Sequence, residues 1–231
     1  MFGDVGESEF DLKFRCFGIP VRVTPWFWLG GVISGRGLME SGAFELLVIW
    51  IACLFLSILV HEMGHAFAAR WFGWPPEVIL YQFGGLAVFQ PYHGYTTLRS
   101  IVVSFAGPFA GFVLGGFFLA IAIFVGIIDY ELTQGMDFAL YQLIWINFAW
   151  GLVNLLPVLP LDGGRIAQAL IQHFRPRDGY DWTLKLSMVT AVLATAFFLA
   201  TREFWGLFPA LLFGILFIAN LQSYQQERGS W

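Results

Sequence analysis

Charge is scarce in this chain. Only 12% of the 231 residues are Asp, Glu, Lys or Arg, against 58% hydrophobic and 19% aromatic, whereas an ordinary soluble domain carries about a quarter charged residues. So few charges cannot coat a globule of this size in water. The basic residues form no cluster and the formal net charge is −4, which leaves no electrostatic footprint for a nucleic acid and excludes that class of partner. Cysteine is nearly missing as well. Cys16 and Cys53 are too few for a disulfide framework or a thiolate zinc site, and both read as packing residues. The N-terminal segment carries four acids before its first lysine, Lys13, and has no apolar run, so it does not read as a cleaved signal peptide. There is no internal repeat and no low-complexity segment.

What fills the chain instead is long apolar runs. Phe44 to Phe72, Ile101 to Ile128, Phe138 to Leu156 and Leu184 to Ala200 each supply close to the roughly 20 residues that a membrane-crossing helix needs. A fifth run, Phe204 to Tyr224, follows the short break at Thr201-Arg202-Glu203 and makes a helical hairpin with the fourth. Pro25 to Ser34 is read as a short first span. The expected fold class is therefore an all-α polytopic membrane protein with about five or six transmembrane helices. If the short segment crosses and the N-terminus is inside, ten of the twelve basic residues face the cytoplasm and only Arg36 and Arg202 lie outside. That is a strong positive-inside bias, and it puts the acidic connection Asp129 to Asp137 outside. The expected location is the cytoplasmic membrane of a prokaryote.

Within the first long run, Leu59-Val60-His61-Glu62-Met63-Gly64-His65 sets two imidazoles four positions apart, about 40° from each other on one helical face and close enough to share a metal ion. Glu62 projects beside them. In this zincin pattern the histidines bind Zn²⁺ and the glutamate takes a proton from the attacking water. The bland alternative is a set of polar residues hydrogen-bonded across a helix bundle. It has to place a carboxylate and two histidines inside an apolar helix, where ionisable groups are rare and usually functional. His61 lies seventeen residues past Phe44, about 26 Å along the helix and so toward the cytoplasmic edge of the membrane core.

Two histidines leave such a site incomplete, because catalytic zinc usually takes three protein ligands. The other deep acid near an inner span end is Asp162, in Asn154-Leu-Leu-Pro157-Val-Leu-Pro160-Leu-Asp162-Gly163-Gly164-Arg165. The prolines stop the helix and the glycines free the backbone to turn. On the residues alone, Asp162 is either a third ligand or the cap of a following helix, Arg165 to Phe174.

A membrane-embedded His-Glu-x-x-His followed about ninety residues later by Asn-x-x-Pro and Leu-Asp-Gly resembles the site-2 protease family of intramembrane zinc metalloproteases. The likeness covers nearly the whole chain. It implies one zinc per chain on His61, His65 and Asp162, with Glu62 as general base and Asn154 as a residue that binds substrate or the developing oxyanion. Ser104-Phe-Ala-Gly107-Pro108 resembles a further motif of the family, with Gly111 where an asparagine is common and Leu159 where a proline is frequent. The resemblance also implies single-span membrane proteins as substrates, cleaved in or near their transmembrane segments from an active site toward the cytoplasm. No stretch is long and polar enough for a PDZ domain, and none follows Tyr224 for a CBS domain, so residues 1–231 read as one membrane-embedded protease domain.

Glu77 to Gln90 reads as two short strands around a Gly84-Gly85 turn, matching the membrane-associated β-hairpin or sheet of the family. Gly84, Gly85 and Leu86 are the residues expected to hold substrate, by pairing an unwound segment to a free strand edge. His93 reads as a loop histidine and His173 as solvated. Trp26, Trp28, Trp71 and Trp74 fit interfacial anchoring and lipid-facing packing. The rival function is a membrane protein that carries or senses a metal with the same ligands. Its binding groups would be spaced along a path, and here they gather at one depth.

Overall fold

The computed structural model describes residues 6–82, 84–91, 94–200 and 204–229. His93 and the Thr201-Arg202-Glu203 break lie outside the described residues. The chain sorts into two compact units: Met1–Tyr95 with Ala106–Gly151, and Thr96–Phe105 with Leu152–Trp231. Mostly helical, with one small sheet, the chain has among the described residues four helices long and apolar enough to cross a membrane: Phe44–Trp71, Thr97–Ile127, Gln134–Asn154 and Gly179–Ala200. These are α3, α4, α5 and α7, and they match the four long runs of the sequence.

The first unit begins with β1 (Leu12–Cys16) and β2 (Ile19–Val23). Their turn, Phe17-Gly18, has φ of 48° and 80°, the positive pair that a two-residue hairpin needs to follow the strand twist. The Arg70 guanidinium donates to the Phe17 carbonyl at 2.7 Å, which fixes this unusual phenylalanine conformation on the end of α3. After α1 (Pro25–Ser34) and the short α2 (Arg36–Glu40) comes α3. The ten residues of α1 extend about 15 Å, half the hydrocarbon thickness.

α3 stops where Gly73, at φ 80°, lets the Trp74 amide bond back to the Ala69 carbonyl at 3.0 Å, a Schellman ending. β3 (Pro76–Tyr81) and β4 (Gly84–Phe89) follow. The four strands form one sheet in the order β1-β2-β3-β4, antiparallel at both hairpins and parallel between β2 and β3, with Val21 opposite Val78 and Val23 opposite Leu80. Gly84 and Gly85 therefore do not make the turn. They are the first residues of β4, paired with Tyr81 and Leu80. The inner face of the sheet, with Val21, Val23, Val78 and Leu80, packs on Phe27, Ile58, Met63 and Ala66; each of these side chains larger than alanine stabilises by about 1.5–3 kcal/mol when fully buried. Trp74 is also buried, stacked on Phe89 and Tyr95, so it is a core residue rather than an interfacial anchor. Trp28 stacks on Phe55, whereas Trp26 and Trp71 are exposed as expected. Cys53 is buried and neither cysteine is in a disulfide.

The second unit contains α6 (Asp162–Phe174), α7 and α8 (Phe204–Gly229). Its core joins Val158 to Ala191, Phe213 and Leu216. α6 starts at Asp162, three residues before the expected Arg165, because Gly163 and Gly164 are helical. Their task is close approach: a Cβ on Gly163 would collide with the Leu155 carbonyl, and one on Gly164 would lie 2.5 Å from the Leu159 nitrogen and the Val158 carbonyl oxygen.

Candidate metal centre

His61, Glu62 and His65 are buried on α3. Met63 and Ala66 bind this stretch to the sheet, which fixes the rotation of the helix and therefore the face on which the imidazoles stand. The two Nε2 atoms are 3.2 Å apart and the rings are inclined at 77°. Two nitrogens at 2.0–2.1 Å from a tetrahedral Zn²⁺ would stand about 3.3 Å apart. The spacing of the pair thus matches two ligands of one zinc ion.

Two glycines shape the space around them. A Cβ at Gly107 of α4 would run into the His65 ring, and one at Gly85 of β4 would lie 2.6 Å from the Glu62 Cδ and Oε1. The ring therefore rests on the α4 backbone and the carboxylate on the β4 backbone. A polar contact in the same unit joins α5 to α3: Asn147 Nδ2 donates to Ser57 Oγ at 2.9 Å, and also to the Leu143 carbonyl one turn back on α5 at 2.7 Å. Gly84 packs its α-carbon against Trp150 of α5.

In the second unit Asp162 is the first residue of α6 and is buried. It lies in the first turn, and Leu161 holds the N-cap position. Asn154 is the last residue of α5 and is also buried. His173 is exposed beside Thr97, with Oγ1 and Nδ1 3.4 Å apart, as expected of a solvated histidine. Leu86 is half-buried on β4, and Val88 two residues on is exposed. Sequence reasoning missed the polar groups behind the site: Asn147 and Ser57, and in the second unit Ser187 and Asn220. All four are buried polar residues in apolar helices, and that is the signal by which they could have been found.

A family model for peptidase family M50 matches residues 49–198, more than half the chain and all of α5 and α6. The chain belongs to peptidase family M50. It is 32% identical over 162 residues to a zinc metalloprotease of Methanocaldococcus jannaschii, a match covering 68% of this chain and 44% of that protein. It is 28% identical to stage IV sporulation protein FB of Bacillus subtilis, covering 90% of this chain and 67% of that one. The chain spans about half the length of the curated relatives it matches. The solved structure of a site-2 protease from Methanocaldococcus jannaschii has the same fold, with a TM-score of 0.66 at 23% identity over 93% of this chain and 95% of that one. The resemblance to the site-2 proteases read from the two motifs is borne out. As an M50 member with several membrane-length apolar helices, the chain is an integral membrane protein.

Proposed function

We propose that this M50 chain is an intramembrane zinc metalloprotease that hydrolyses peptide bonds in or near the transmembrane segments of other membrane proteins. The observation that carries the reading is the convergence of the His61 and His65 Nε2 atoms at 3.2 Å with Glu62 buried beside them on α3. His61, His65 and Asp162 are each buried and each offers one ligand atom, the donor number and chemistry of a catalytic zinc site. One zinc per chain is held by these three, and the two units then belong to one protease domain. Loss of zinc from Asp162→Ala tests this; full occupancy in that variant would remove Asp162 from the ligand set.

When bound, zinc supplies Lewis-acid polarisation of a carbonyl and acidifies a water. Glu62 accepts the proton of the attacking water at its carboxylate and passes it to the leaving amine nitrogen. The Asn154 amide donates to the oxygen on which negative charge develops. Gly84, Gly85 and Leu86 lie at the start of β4, one of the two outer strands of the sheet, whose edge pairs with no further strand among the described residues and can take an extended substrate segment by strand addition. A transmembrane substrate has to unwind locally to present such a segment. Substrates with a single span suit this, since they carry no neighbouring helices that must be moved aside.

With Pro25 to Ser34 counted as a crossing, the distribution of basic residues orients the chain with both termini and the active site toward the cytoplasm. Reporter fusions after Gly135 and Arg228 should then read opposite sides of the membrane; the same side for both would overturn it. The test of the function is Glu62→Gln, which keeps size and shape and removes the basic carboxylate. Zinc should stay while cleavage of a model single-span substrate falls about 10²- to 10⁴-fold, or roughly 3–5 kcal/mol of barrier. Equal cleavage by both proteins would dismiss Glu62 as the base. Zinc transfer across liposomes without any cleavage would give the function to a metal carrier.

A further inference from the structure

The segment between α5 and α6 carries its backbone hydrogen bonds in an unusual way. In a membrane interior every N–H and C=O must find a partner inside the protein. The amides of Leu155 and Leu156 bond to the carbonyls of Leu152 and Val153, the amide of Val158 to Leu156, and the amide of Leu161 to Val158. Pro157 and Pro160 have no amide hydrogen to place. Both polar groups of Leu159 are served by side chains. Its N–H donates to Ser187 Oγ of α7 at 3.1 Å, and its carbonyl accepts from Asn220 Nδ2 of α8 at 2.8 Å.

Both side chains are buried, at 0% and 3% exposure. Asn220 is itself held, since the same nitrogen donates to the Leu216 carbonyl at 2.7 Å one turn back. Two helices therefore grip the two faces of a single peptide residue, three positions before Asp162. From there the chain has little slack: Leu161 bonds back to Val158, and Gly163 and Gly164 lie against the backbone of residues 155–159. A displacement of Leu159 is therefore passed to the first turn of α6, whose Gly164 rests against it.

We propose that Ser187 and Asn220 are positioning residues for the metal centre, holding the Leu159 peptide so that the Asp162 carboxylate is presented at a fixed place. On this account the α7–α8 hairpin is part of the metal-ligand support and not only a membrane anchor. The inference rests on the reading of Asp162 as the third ligand. Outer partners of metal ligands typically contribute about 10- to 100-fold in metal affinity, and the lower end of that range is expected for groups that act through the backbone.

The experiment measures zinc affinity by competition with a chelator, and the visible absorption of the Co²⁺-substituted protein, on the full chain in detergent. The variants are Ser187→Ala, Asn220→Leu and Asp162→Ala, with Ser223→Ala as control. Ser223 donates to the Ala219 carbonyl at 3.1 Å, one turn back on the same helix as Asn220. Ser187→Ala and Asn220→Leu should each weaken zinc about 10-fold and move the Co²⁺ spectrum toward that of Asp162→Ala, with Ser223→Ala unchanged. Combined with Asp162→Ala, neither should weaken the metal further, because a group acting only through Asp162 has no effect once the carboxylate is gone. A further loss in the combined variants, or wild-type affinity and spectrum in both single variants, would overturn the proposal and leave Asp162 as a ligand. An unaltered metal site in Asp162→Ala would remove the ligand reading and the proposal together. Should Asn220→Leu not fold, Ser187→Ala, which loses one oxygen, decides by the same criteria.

Discussion

Gly85 on β4 lies directly against the Glu62 side chain on α3, so closely that a Cβ there would stand 2.6 Å from both Cδ and Oε1. The carboxylate proposed as general base is thus braced by strand backbone. Gly85→Ala should push it aside while leaving the two histidines where they are. Hydrolysis is expected to fall by about 10²-fold or more, the lower bound for a lost general base, with zinc content unchanged. Zinc analysis and cleavage rate measured on one preparation check both halves. A wild-type rate would mean that the strand gives way and the contact is incidental.

The corresponding contact on the other side of the motif predicts the opposite split. The His65 ring rests on Gly107, where an added Cβ would overlap it, and α4 continues through this point as one helix from Thr97 to Ile127. Gly107→Ala should turn the ring away and lower zinc occupancy, with activity falling in proportion to the metal lost. Full zinc content in this variant would show that the ring has another place to stand.

The sheet carries a pH-dependent contact at its N-terminal hairpin. Burial raises the pKa of Asp11, but the Ser8 amide and the Arg22 guanidinium bonded to its carboxylate more than offset this and hold it below the usual value of 3.8. A carboxyl with a depressed folded pKa contributes stability that is present above the unfolded value and is lost as pH falls through the folded one. Hydrogen-exchange protection of the β1 and β2 amides should therefore be level from neutral pH down to about pH 4 and fall below it. Asp11→Asn should have lower protection at pH 7 and no such acid step. An acid step of the same size in both proteins would assign it to another group.

Much of this protein was legible without a structure. The four long runs became helices within a few residues of their expected ends, since a bilayer admits little except a helix for an apolar stretch of that length. The His61-Glu62-x-x-His65 pattern also needed no folding beyond its own helix, because the geometry of one turn brings the imidazoles together. The sheet was half visible. β3 and β4 are neighbours in sequence and alternate as strands do, but the parallel pairing of β2 with β3 joins Val21 to Val78 across the whole of α3, and nothing in either strand announces its partner.

The glycines show the same division. Gly84-Gly85 has the composition of a turn, and local propensity supports that reading. What places both residues inside β4 is contact: Trp150 against Gly84 and Glu62 against Gly85 leave no room for a side chain. Gly163-Gly164 likewise suggests a flexible link and is in fact the tightly packed first turn of α6. The sequence by itself determined the class of the protein, its apolar helices and the chemistry of the α3 motif, because each depends on composition or on spacing within one element. Only the tertiary structure decided which backbones brace Glu62 and His65 and which side chains grip Leu159. Those relations join residues as far apart as the 61 positions between Leu159 and Asn220, and they arise from close packing and the need to satisfy every buried polar group.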